Sequence, residues 1–250
     1  MSEIQSTLDL VAKSDFRALA QAISRVEDGD AEFIDAVRTL KPTTQPAVIG
    51  FTGSPGVGKS TLVSAVVTEL RKTGSSIAVI AVDPSSPFSG GALLGDRIRM
   101  QDHIADQKVF IRSMSTRGHL GGVVESANDV IKLMAIAGID FVIIETVGVG
   151  QSEIEVMHVA PTVVVVAAPG HGDGVQAAKA GVLEIADIIV VNKSDQPGVD
   201  VTVRDLTAAF LHSSKYPDWA IPILTASAIN DSGITQLCDQ IQKHISFLKH

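Results

Sequence analysis

Nine residues, Gly53-Ser54-Pro55-Gly56-Val57-Gly58-Lys59-Ser60-Thr61, constrain this chain more than any other part of it. They fit G-x-x-x-x-G-K-[ST] and stand between an apolar run, 47–52, and a run with helical spacing, 59–72. A loop of this composition between a strand and a helix is a phosphate cradle. Gly53, Gly56 and Gly58 let the backbone wrap closely and aim N–H groups at the phosphates. The helix starting near Lys59 adds the positive end of its dipole. Lys59 then places a cation on the β and γ phosphates, and the Ser60 hydroxyl is a ligand for Mg²⁺.

The rest of the chain supplies a matching scaffold. Short apolar runs at 47–52, 76–82, 108–112, 140–146, 162–168, 187–192 and 221–225 predict strands. Most are nearly continuous Val, Ile and Ala, the pattern of strands covered on both faces. Helical spacing lies between them at 59–72, 122–137, 173–185 and 200–213, with a last helical stretch at 234–248. This alternation predicts an α/β fold of the P-loop NTPase type, a mostly parallel sheet of about seven strands flanked by helices. Residues 1–43 differ: two or three short amphipathic helices, separated at Asp28-Gly29-Asp30, predict a small N-terminal helical extension packed on a P-loop domain over 44–250.

Composition narrows the setting. A net charge of −8 argues against a general affinity for nucleic acid. The single cysteine, Cys238, cannot form a disulfide within the chain, which suits a reducing, cytoplasmic compartment. The N-terminus has no basic start followed by an apolar stretch, and no apolar run approaches the roughly 20 residues that span a bilayer. No membrane association is expected.

Two further elements choose the base. Asn192-Lys193-Ser194-Asp195 follows the run 187–192, at the carboxyl end of a strand, where open α/β sheets bind ligands. Guanine presents two adjacent donors, N1–H and the 2-amino group, and the Asp195 carboxylate can accept both. Adenine has an acceptor at N1 and no 2-amino group, so the same carboxylate would lose its partners. Thr225-Ala226-Ser227-Ala228 follows the last predicted strand, where a turn can offer backbone N–H groups from Ser227 and Ala228 to the guanine oxygen. The three elements in this order predict GTP and GDP as ligands.

The run 140–146 ends in Glu145, with Gly148 three residues later. An acid there holds Mg²⁺, usually through water, and the glycine N–H senses the γ-phosphate. Gln151 suits the orientation of water and equally the start of a helix. Asp83 stands at a strand's carboxyl end, in reach of a metal or water, and it also suits a turn before Pro84. Asp96 reads as a surface or capping residue as readily as a ligand.

Together the stretches GSPGVGKST (53–61), AVDPSSPFSGGALLGDRIRM (81–100), ETVGVGQSE (145–153), APGHGDGVQAAKAG (168–181) and EIADIIVVNKSD (184–195) resemble the MeaB/ArgK family of G-protein chaperones, which includes the human methylmalonic aciduria type A protein. The resemblance implies a GTPase that protects or reloads an adenosylcobalamin-dependent acyl-CoA mutase, typically methylmalonyl-CoA mutase. It implies that Asp83, Asp96 and Glu145 lie with Ser60 around Mg²⁺ and the attacking water. It also implies a mobile segment over 171–181 that transmits nucleotide state. Three departures stand out. The helical arm through which family members dimerise is missing or much shortened before His250, so a homodimer built on it is not expected. The family's G-A-G-D-E-L-Q reads Gly170-His171-Gly172-Asp173-Gly174-Val175-Gln176, which alters the expected partner surface. The loop 115–122 carries Arg117 and His119 where small residues are usual; Arg117 suits transition-state charge or a solvated loop.

Other functions remain open on sequence alone. A metallochaperone-type GTPase would need a thiolate or imidazole cluster, yet Cys238 has no second cysteine and the seven histidines are scattered. A kinase of a transport protein, suggested by an older family name, has no recognisable protein-substrate site. A module that binds GTP without turnover is disfavoured by intact Lys59, Ser60 and Glu145.

Overall fold

Seven strands, all parallel, form one sheet in the computed structural model, which describes residues 2–42, 44–83, 100, 103, 105–115, 120–146, 158–170, 185–210 and 216–249. The strands are β1 (Ala47–Thr52), β2 (Ile77–Asp83), β3 (Val109–Ser115), β4 (Phe141–Thr146), β5 (Thr162–Ala167), β6 (Ile188–Val191) and β7 (Ile223–Thr225), in the order β3-β2-β4-β1-β5-β6-β7. The described helices are α1 (Glu3–Val11), α2 (Phe16–Glu27), α3 (Ala31–Thr39), α4 (Lys59–Arg71), α5 (Leu120–Ile136), α6 (Val199–Phe210) and α7 (Ile234–Phe247). The predicted helix over 173–185 falls outside the described residues, apart from its last position.

Successive side chains on a strand point to opposite faces, and two cores result. On one face Val48, Ile80, Val142, Ile144, Val163 and Val165 pack with α1, α2, α3 and α5. On the other, Ile49, Phe51, Val79, Ile143, Val164 and Val166 pack with α4 and α7. This double coverage explains the unbroken apolar runs: all six residues of β5 and all four of β6 are buried.

The N-terminal helices begin at polar caps. Ser2, Asp15 and Asp30 accept from the backbone N–H groups of Gln5, Ala18 and Phe33, as helix starts require. Between α2 and α3, Gly29 has φ 74°, the left-handed conformation of a helix stop. Leu19, Ile23, Phe33 and Val37 are fully buried in the sheet's first core. Each such side chain contributes about 1.5–3 kcal/mol of burial. The bidentate Arg38–Asp129 ion pair, whose arginine is 50% exposed, adds on the order of 1 kcal/mol. Apolar packing, not the ion pair, therefore holds these helices on α5.

Connections out of β1 and β5 leave in opposite directions, to β2 on one side and to β6 on the other. The crevice between these two strands is the switch point where open α/β sheets take ligands. The chain places its glycine-rich loop there.

Candidate functional site

The loop leaves β1 through Gly53, whose φ is 146°. A Cβ at this position would lie 2.1 Å from the Val166 carbonyl oxygen on β5, so only glycine lets the loop turn between the strands. The loop ends at Gly58, the left-handed N-cap of α4, where a Cβ would meet the Asn192 side-chain nitrogen at 2.6 Å. No side chain caps α4, which leaves this helix end suited to an anion. Lys59 Nζ donates to the carbonyls of Gly53 at 2.7 Å and Ser54 at 3.1 Å, arching back over the loop it follows.

Across the sheet, the parallel register pairs Phe51 with Glu145 and brings the end of β4 beside the loop. Ser60 Oγ donates to Glu145 Oε1 at 2.6 Å, with both residues buried. A hydroxyl and a carboxylate sharing a buried site form a hard-oxygen donor set that fits Mg²⁺. Asp83 closes β2, whose preceding residue Val82 pairs with Thr146 on β4, so three strand ends carrying oxygen-donor residues are neighbours. Asp96, Gly148, Gln151, Arg117, His119 and His171 lie outside the described residues.

The segments expected to recognise the base are tied to the same loop. Asn192 Nδ2 donates to the Val57 carbonyl at 2.9 Å, and Lys193 Nζ to the Gly56 carbonyl at 2.6 Å. The Ser194 N–H donates to the Ala226 carbonyl at 3.0 Å. Ser227 Oγ donates to Asp195 Oδ1 at 2.5 Å, and the Ala228 N–H reaches Asn192 Oδ1 at 3.4 Å. Residues 53–60, 145, 192–195 and 226–228 thus converge at the carboxyl edge of the sheet. Sequence reasoning assigned the Ser227 turn a backbone role and missed its hydroxyl on Asp195. It also missed the close approach of Val166, which works through a backbone carbonyl and carries no side-chain signal.

Cys238 bears on the competing metal chemistry. It is buried on α7, and burial, reinforced by the charges of Glu69 and Asp239, pushes its thiol up to about 12. A thiol held neutral is a poor metal ligand and a poor nucleophile. Native protein at pH 8 is therefore expected to react with a disulfide reagent at least about 100-fold more slowly than protein unfolded in guanidinium. Equal rates would contradict the buried, protonated thiol. Among the described residues no group of three or more His, Cys, Asp and Glu is placed to hold a metal ion, and no helix is long and apolar enough to cross a membrane.

Comparison with known proteins agrees with this geometry. Residues 19–250 match the family described as Methylmalonyl Co-A mutase-associated GTPase MeaB. A protein of Pyrococcus abyssi named as a GTPase is 47% identical over 250 residues, covering 98% of this chain and 77% of that protein. GTPase ArgK of Escherichia coli is 40% identical over 230 residues, covering 88% of this chain and 69% of that protein. Among solved structures, one titled LAO/AO transport system kinase superimposes with a TM-score of 0.78 at 29% identity, over all of this chain and 78% of its own.

Proposed function

Since the chain belongs to the MeaB family of P-loop GTPases, we propose that it binds GTP with Mg²⁺ at the site above, hydrolyses it, and signals the outcome to an adenosylcobalamin-dependent acyl-CoA mutase. The observation that carries the nucleotide part is the pair of hydrogen bonds from Asn192 and Lys193 to the carbonyls of Val57 and Gly56. They join the predicted base-reading segment to the predicted phosphate loop, so one ligand with a purine and a polyphosphate would touch both.

In this reading, the N–H groups of 53–61 and the Lys59 ammonium receive the phosphates. Lys59 exchanges the Gly53 and Ser54 carbonyls for phosphate oxygens as the ligand enters. Ser60, Glu145, Asp83 and Asp96 are the proposed oxygen ligands of Mg²⁺, which would supply neutralisation of charge on the β and γ phosphates. Gly148 is proposed to sense the γ-phosphate through its N–H. Asp195 accepts from guanine, with Lys193 beside the base, and the Ser227–Ala228 backbone faces the guanine oxygen. Pre-aimed donors stabilise the charge that builds during transfer to water, at little cost in reorganisation.

The mutase, with methylmalonyl-CoA mutase as the first candidate, follows from the family's name. A GTPase that biases a partner must hold two arrangements of different affinity for it. GTP hydrolysis by the purified protein, measured with and without the host's mutase, tests this. A several-fold rise in rate on adding the mutase is the expected result. Turnover indifferent to a mutase excess would remove the partner from the proposal and leave the GTPase.

A further inference from the structure

A glycine remote from the phosphate loop stands directly behind the base-reading turn. Gly233 is the N-cap of α7, with φ 75° and ψ −2°. A Cβ there would lie 2.2 Å from the Thr225 carbonyl oxygen, 3.0 Å from Ala226 Cα and 3.2 Å from Ala226 Cβ. Helix α7 thus starts in contact with the backbone of the turn's first two residues. Just before it, Ser227 and Ser232 exchange both backbone hydrogen bonds, at 2.9 and 3.1 Å, and close the turn into a short loop.

The turn passes this contact on. The Ala226 N–H donates to the Val191 carbonyl at 2.9 Å, and the Ala226 carbonyl accepts from the Ser194 N–H. The next residue, Ser227, is buried and holds Asp195 through its hydroxyl. Asp195 is itself one residue beyond Ser194, so both ends of the serine–aspartate bond are anchored on Ala226.

The geometry points to Gly233 as a positioning residue for base selection: the missing side chain lets α7 seat against Thr225–Ala226, which aims the Ser227 hydroxyl at Asp195 and fixes the carboxylate for guanine. This inference rests on the guanine reading of Asp195. Relieving a 2.2 Å approach to a backbone oxygen requires a displacement of roughly an ångström. Shifts of that size at a recognition group cost up to about 100-fold.

The test compares GTP with inosine triphosphate, which lacks the 2-amino group and otherwise matches guanine along the recognised edge. In Gly233→Ala the preference for GTP over ITP is expected to fall about tenfold or more, the loss of a hydrogen bond to a charged acceptor. Affinity for pyrophosphate, which never meets the turn, is expected to stay within about twofold. Gly74→Ala controls for backbone strain alone: its φ is 82°, but a Cβ there meets nothing within 4 Å. That variant should lose stability and keep its GTP-to-ITP ratio. Should Gly233→Ala fail to fold, Ser227→Ala tests the last link, with the same drop in ratio expected. An unchanged ratio in a folded Gly233→Ala, or in Ser227→Ala, overturns the inference. A wild-type protein that binds ATP as well as GTP overturns instead the guanine reading on which it rests.

Discussion

Lys59→Ala is expected to give a folded protein whose GTP turnover falls by roughly 10²–10³-fold, the usual cost of losing one group aimed at developing transition-state charge. The loop should keep its shape without the ammonium. Asn192 and Lys193 still hold the Val57 and Gly56 carbonyls, and Gly53 still threads past Val166. Single-turnover hydrolysis, with circular dichroism to confirm the fold, makes the measurement. Nucleotide affinity should drop as well, because in the proposed role Lys59 would neutralise charge in the ground state and in the transition state alike. A variant turning over within threefold of the parent would move the chemistry away from this loop.

Asp195→Asn tests the other half of the site and is expected to change which base is accepted. The amide replaces one acceptor oxygen with an NH₂ donor, which would then face the guanine 2-amino donor. Discrimination between GTP and ATP should fall by about 10–100-fold, as expected when a hydrogen bond to a charged acceptor is lost. Xanthosine triphosphate carries a carbonyl where guanine carries the amine, so it should gain affinity in the variant. The hydroxyl of Ser227 can still donate to the amide oxygen, which keeps the side chain oriented. Competition binding with the three nucleotides reads the outcome. Undiminished preference for GTP over ATP would sink the assignment of Asp195 to the base.

Much of the scaffold was legible because it is written in short-range patterns. Short apolar runs, most of them nearly continuous Val, Ile and Ala, marked all seven strands, and Asp28-Gly29-Asp30 marked the break between α2 and α3. The element ends were less legible where tertiary partners decide them. The predicted strand at 108–112 stops at Arg112, since a guanidinium looks like the end of an apolar run. In the fold β3 continues to Ser115, because α2 supplies Arg112 with the Ala20 carbonyl, the Ser24 hydroxyl and the Glu27 carboxylate. Likewise the helix expected from residue 122 starts at Leu120, ahead of the Gly121-Gly122 pair. The last strand begins at Ile223 rather than residue 221, just after Pro222, whose carbonyl still accepts from the Ile189 N–H.

The candidate site divides along the same line. Motif spacing located the loop at 53–61, the acid at 145 and the segment 192–195, and the parallel sheet brings these together. What spacing could not convey is the bonding between them: a side chain reaching a backbone carbonyl, as Asn192 does at Val57, leaves no mark in composition. Gly233 was invisible for a related reason, since its contact partner is the carbonyl of a residue eight positions earlier.

The strand order also governs when this protein can become competent during synthesis. Strand β1 sits between β4 and β5, so neither of its edges is paired until residues 141–146 and 162–167 have emerged. The N-terminal helices wait as well, because their apolar faces close on α5, whose sequence begins at residue 120. At translation rates of roughly 5–20 residues per second, both stay uncovered for several seconds or more. The turn proposed to face the base arrives only after residue 225. A nascent chain therefore carries its glycine loop long before the segment proposed to distinguish purines has been made, so phosphate binding would precede selectivity.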